Sequence, residues 1–100
     1  MVSGAKAQSS DIMNDNPNTI LTGKVVDAES GEALAGVEIK VVGTDIECFT
    51  DFEGNFELNG IVPGRYELIV HYISYGSNLL KNIKIAPGTN SLNDIGLIAK

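Results

Sequence analysis

The chain has 100 residues, 43% of them hydrophobic, which is one small domain with enough apolar side chain for a packed core and too much for wholesale disorder. Seven Lys and Arg stand against 13 Asp and Glu, a net charge of -6, with no basic cluster to neutralise phosphates, so a nucleic-acid partner is not expected. No apolar run approaches the roughly 18 residues that span a bilayer as a helix, so no direct membrane span is expected in this segment.

Residues 1–18 are rich in Ser, Asn and Asp, show no sustained period, and read as a flexible leader ending in the loop "NDNPN". Ala5-Lys6-Ala7 fits the small-x-small pattern before a signal-peptidase cut, but a basic stretch and an apolar stretch are missing. Residues 1–8 therefore read equally as the stub of a trimmed export signal or as a cloning remnant.

From Thr19 the signal changes to short β-type runs separated by turn residues, and residues 19–100 read as the folded domain. "ILTGKVVD" (20–27) places Leu21, Gly23 and Val25 on one face, and 28–36 is a turn and crossing loop. In "VEIKVV" (37–42) Val37, Ile39 and Val41 point inward while Glu38 and Lys40 point outward. A short strand around "IECFT" follows the 43–45 turn, and "NFELNG" then directs Phe56 and Leu58 inward. At "VPG" Pro63 presets its backbone angle and Gly64 tolerates a positive one, so both are expected to be structural turn residues. "RYELIVHYI" (65–73) has Tyr66, Leu68, Val70 and Tyr72 on one face and Ile69 and Ile73 on the other, as in a central strand. "LLKNIKIA" (79–86) and "SLNDIGLIA" (91–99), separated by the turn "PGTN", complete seven strands. No segment has a helical period, and the spacing predicts an all-β, seven-stranded β-sandwich.

These residues resemble a known family, the carboxypeptidase regulatory-like domains with a transthyretin-like fold. The pattern occurs here as Leu21-Gly23-Val25-Asp27, then Gly31-Leu34-Gly36 with Val37 and Ile39, then Thr50-Asp51-Gly54-Phe56. Pro63-Gly64-Tyr66-Leu68 and Tyr72-Tyr75-Gly76 follow, so five pieces stand in order over residues 19–99. Ser74 departs from the pattern, standing where the family usually has glycine. The resemblance implies a Greek-key sandwich without enzymatic activity of its own. Such domains accompany metallocarboxypeptidases and extend the N-terminus of TonB-dependent outer-membrane receptors; "LNDIGLIAK" resembles the last strand of the envelope version.

The stretch "FTDFEGNF" (49–56) alternates Asp51, Glu53 and Asn55 around a glycine, as oxygen ligands do in a calcium loop. The spacing fails: an EF-hand loop starting at Asp51 needs glycine at its sixth position, where Phe56 stands, and glutamate at its twelfth, where Val62 stands. A tight turn needs only what is present, with Asp51 accepting local N–H bonds and Gly54 supplying a left-handed angle. No metal or cofactor site is expected. His71 is the one imidazole, mid-strand with no Ser or Cys beside it in sequence, and Cys48 is the one thiol, with no basic neighbour. Asp27 and Glu29 read as loop carboxylates, and no catalytic residue is assigned.

The expected function is a non-catalytic accessory and interaction module of a cell-envelope protein, the N-terminal extension of a TonB-dependent receptor on the periplasmic side of the outer membrane. Its partners are then other domains of the parent chain or envelope proteins. Two alternatives stay open. One is the companion domain of a metallocarboxypeptidase, supporting folding or substrate access. The other is a stand-alone secreted module that binds glycans or proteins through Phe49, Phe52 and Tyr75.

Overall fold

Alternation of apolar and polar residues from Thr19 onward produces strands throughout the described residues, 18–99, in this computed structural model. They run in the order β1 (Thr19–Asp27), β2 (Glu38–Val41), β3 (Glu47–Phe49) and β4 (Asn55–Asn59). The hairpin of β5 (Gly64–Tyr72) and β6 (Gly76–Ile85) follows, then β7 (Gly88–Ser91) and β8 (Ile95–Leu97). Of the expected leader only Asn18 is among the described residues; the rest lies outside them.

The strands form two sheets packed as a sandwich. In one, β1 lies between β4, which pairs antiparallel with it, and the β7 and β8 pair, which run parallel to it one after the other. In the other the order is β3-β2-β5-β6, all antiparallel, so β5 is internal as its two-sided apolar pattern predicts. Leu21 and Val25 of β1, Ile39 and Val41 of β2, Phe56 and Leu58 of β4, and Leu68 and Val70 of β5 meet between the sheets as the buried core. Gly23 belongs to this inward row because the Phe56 ring fills its place: a Cβ there would stand 2.6 Å from two ring carbons.

Eight strands replace the expected seven. The polar run "GTN", read as part of a turn, forms β7 together with Ser91: it pairs with Thr19–Thr22 of β1, and the Asn90 side chain satisfies backbone groups on both sides of it. Its amide donates to the carbonyls of Ala86 at 2.8 Å and Ile20 at 3.2 Å and accepts from the Ala86 N–H at 3.0 Å. Between the pairs Thr22–Ser91 and Val25–Ile95 the last segment carries one more residue than β1, so the expected single strand breaks at Leu92-Asn93-Asp94. Gly64 also differs from expectation. It opens β5, and the left-handed angle falls at Gly60, with φ +77°.

The β5–β6 hairpin turns at Tyr72-Ile73-Ser74-Tyr75, where the Tyr75 N–H donates to the Tyr72 carbonyl at 3.0 Å. Ser74, at the third turn position, has φ +77°, the left-handed angle a type II turn requires there. Ile73, expected on a strand face, is exposed at this tip. Ser74→Gly is expected to stabilise the domain by about 0.5–1 kcal/mol, since glycine holds that angle without strain. A lowered urea midpoint for this variant would contradict the turn assignment.

Candidate functional site

The sandwich closes its core with side chains, which leaves turns, sheet faces and sheet edges as the places where the domain meets other molecules. Asp51 and Gly54 form the turn from β3 to β4, which carries the chain from one sheet to the other. One carboxylate oxygen of Asp51 accepts from the N–H groups of Glu53 and Asn55, both at 2.9 Å. Gly54 is buried at φ +80°, its carbonyl accepts from the Val25 N–H at 2.9 Å, and its Cα faces the Val25 carbonyl oxygen. Both residues are thus committed to the backbone. Among the described residues no three His, Cys, Asp or Glu side chains converge as a metal ion would need.

Thr50, which the sequence pattern named without a role, anchors the turn. Its hydroxyl donates to the Leu34 carbonyl at 2.7 Å and accepts from the Val37 N–H at 2.9 Å. Its N–H donates to the Val37 carbonyl, so one buried threonine fastens the 28–36 crossing loop to the end of β3.

Asp27 and Tyr75 make a second link, between the end of β1 and the β5–β6 tip. The Tyr75 hydroxyl donates to one Asp27 oxygen at 2.7 Å, and the other accepts from the N–H groups of Glu29 at 2.7 Å and Ser30 at 2.9 Å. The Tyr75 bond above all, then the two backbone donors, hold the Asp27 carboxyl below its ordinary value of 3.8. The same bond, followed by desolvation and the Asp27 charge, raises the Tyr75 phenol above 10. The signs give two limbs. Asp27 contributes stability above its unfolded value that is lost as pH falls through the lowered folded one. Tyr75 contributes stability below 10 that is lost as pH rises through its raised folded value. In an NMR titration, Tyr75→Phe is expected to move the Asp27 midpoint back up towards 3.8; an unchanged midpoint would contradict the bond's role.

His71 has a partner that the linear sequence hid. The hairpin sets Ser77 directly opposite it, and Nδ1 lies 2.8 Å from the Ser77 hydroxyl. Glu38 faces His71 from β2, and Phe49 faces Glu38 from β3, so one row crosses the whole outer face of this sheet. A hydrolase needs more: a carboxylate bonded to the second ring nitrogen and N–H donors converging on an oxyanion in a cleft. Among the described residues Glu38 makes no hydrogen bond to His71, and both His71 and Ser77 are exposed on an open sheet face. Cys48 is half-buried beside the core, and desolvation raises its thiol, which disfavours the nucleophilic thiolate at neutral pH.

The aromatic candidates divide. Tyr75 packs against Tyr72, ring centroids 5.6 Å apart, and is taken up by its bond to Asp27. Phe52, 96% exposed, stands free at the β3–β4 turn. Phe49, 62% exposed, borders an open groove with Thr22, Lys24, Asn55 and Glu57.

Two packed sheets around a closed core, with no helix among the described residues, make this an all-β sandwich. The chain belongs to the CarboxypepD_reg-like domain family, whose model matches residues 21–97. A comparison with curated protein sequences finds no match. Solved structures with the same fold include a type II cohesin–X-dockerin complex from Acetivibrio cellulolyticus, similar over 82% of this chain at 21% identity and TM-score 0.70. A protein from Bacteroides uniformis named as a candidate carbohydrate binder is similar over 83% of this chain, at 18% identity and TM-score 0.65. The chain spans 58% and 42% of those two structures respectively, and the likeness to them is one of fold.

Proposed function

We propose that this domain is a non-catalytic interaction module of a cell-envelope protein, the N-terminal extension of a TonB-dependent outer-membrane receptor. The observation that carries the reading is the allocation of polar groups. Asp51, Thr50 and Asp27 are spent on backbone and hydroxyl partners that hold turns together, and the one imidazole forms a surface pair outside any cleft. What the molecule offers is surface: free sheet edges, the Phe52 tip and the crossing loops. No helix among the described residues is long and apolar enough to cross a membrane.

The test is deletion of residues 19–99 from the parent. The expected result is an inserted barrel with impaired transport or partner coupling; transport at the undeleted rate with unchanged partner binding would reduce the domain to a spacer. A glycan-binding module is the second reading, favoured by the groove where Phe49 adjoins Asn55, Glu57 and Lys24, an aromatic face beside hydroxyl-binding groups.

A further inference from the structure

The four sheet edges differ sharply. β3 offers three residues, among them Glu47; β4 offers five, with Glu57 and the adjoining Glu53; and the β7–β8 edge is broken at 92–94. β6 runs for ten residues, and among the described residues nothing pairs with its far side. Along such an edge every second residue directs its N–H and C=O away from the sheet, a template for another strand.

Charge separates β6 from the others as well. The domain is acidic, yet β6 carries Lys81 and Lys84 and no carboxylate. Arg65 of β5 stands directly opposite Lys84, a like-charge pair that costs stability when it has no anion to share. Lys81, Lys84 and Arg65 are all exposed, and Glu67 is the carboxylate nearest them along β5. A bulge separates the two halves of the strand: between the pairs Tyr66–Ile83 and Leu68–Leu80, β6 has the extra residue, and Asn82 takes φ +58°. The bulge leaves Gly76–Leu80 as a regular, uncharged five-residue edge with the cations gathered at and beyond its end.

We infer that the Gly76–Leu80 edge of β6 accepts an extended segment of a partner protein as a fifth strand, with acidic residues of that segment lying against Lys81, Lys84 and Arg65. This rests on the interaction-module reading and chooses the edge and the partner chemistry within it. Main-chain bonds along the uncharged half supply the pairing, and the charges at one end fix direction. In the antiparallel arrangement, the more stable of the two, the partner's acidic residues precede its paired stretch, because its N-terminal end lies at the Lys84 end of β6. A second copy of this chain is a poor occupant, since β6 carries no carboxylate to lie against Lys81, Lys84 and Arg65.

The test uses the whole chain, NMR, and two blocked peptides of alternating threonine and valine, one preceded and one followed by three glutamates. The expected result is slowed amide exchange within Ser77–Leu80 and shifts at Lys81, Lys84 and Arg65, stronger with the leading glutamates. Lys81→Glu with Lys84→Glu is expected to weaken binding about tenfold while the thermal transition persists. Three results would overturn the inference: no binding of either peptide at millimolar concentration; lysine shifts without amide protection, matched by a sulfated polysaccharide; or protection already present in the chain alone and lost on removing residues 1–17. Impaired coupling on deletion of the domain, together with any of these, would leave the interaction module standing and remove β6 as its contact.

Discussion

Gly54→Ala is expected to destabilise the domain by about 3 kcal/mol, from two sources that a second glycine separates. The left-handed angle of +80° accounts for about 1 kcal/mol on its own. The remainder comes from space: a Cβ at Gly54 would stand 2.6 Å from the Val25 carbonyl oxygen and 3.2 Å from the Ala33 Cβ. That oxygen cannot step aside freely, because it accepts from the Leu34 N–H at 3.0 Å. Gly31 has nearly the same angle, +78°, with nothing within 4 Å of its Cβ position. Gly31→Ala should therefore cost only the conformational part, about 1 kcal/mol. Urea midpoints for the two variants give the comparison; equal losses would mean that the close approach at Gly54 relaxes away. Calcium should shift neither value, since among the described residues no three His, Cys, Asp or Glu side chains converge to hold it.

Thr50→Val is expected to cost about 2–4 kcal/mol, although it preserves shape. The substitution leaves the Val37 N–H without the 2.9 Å bond to the hydroxyl and removes the donor to the Leu34 carbonyl, at a residue only 6% exposed. Desolvated groups left unpaired cost more than the net value of the bonds that satisfied them. Thr50→Ser keeps the hydroxyl and loses a methyl, so about 1 kcal/mol is expected for it. A valine variant as stable as the serine variant would show that water reaches the gap.

Alternation made most of the fold legible. Val37, Ile39 and Val41, and later Phe56 and Leu58, could only be inward rows, and all five are buried. β7 escaped because "GTN" has the chemistry of a turn; its pairing depends on the Asn90 amide reaching backbone groups as distant as Ile20. The contacts around the candidate surfaces were hidden for a different reason. Asp27 and Tyr75 are 48 residues apart, and nothing local indicates that a hairpin tip will meet the end of β1. The His71–Ser77 pair carried a signal that was there to be used: counting outward from a three-residue tip at 73–75 places 71 opposite 77. Edge character was least visible, since it belongs to sheet order. β6 is outermost only because β5 pairs with β2 on its other side.

The proposed function has the domain act through its particular surface and not through chemistry or as a length of chain. The most direct measurement is the transport or partner-coupling rate of the parent carrying residues 19–99 in three forms: native, His71→Ala with Ser77→Ala, and replaced by an unrelated β-sandwich of similar size. The double variant is expected to match the native rate, because the His71–Ser77 pair lies on an open face without oxyanion donors. The replacement is expected to fall to the level of the deletion. A replacement that restores the native rate would make the domain a spacer, and a double variant that loses the rate would make it a chemical participant; either result contradicts the interaction-module reading.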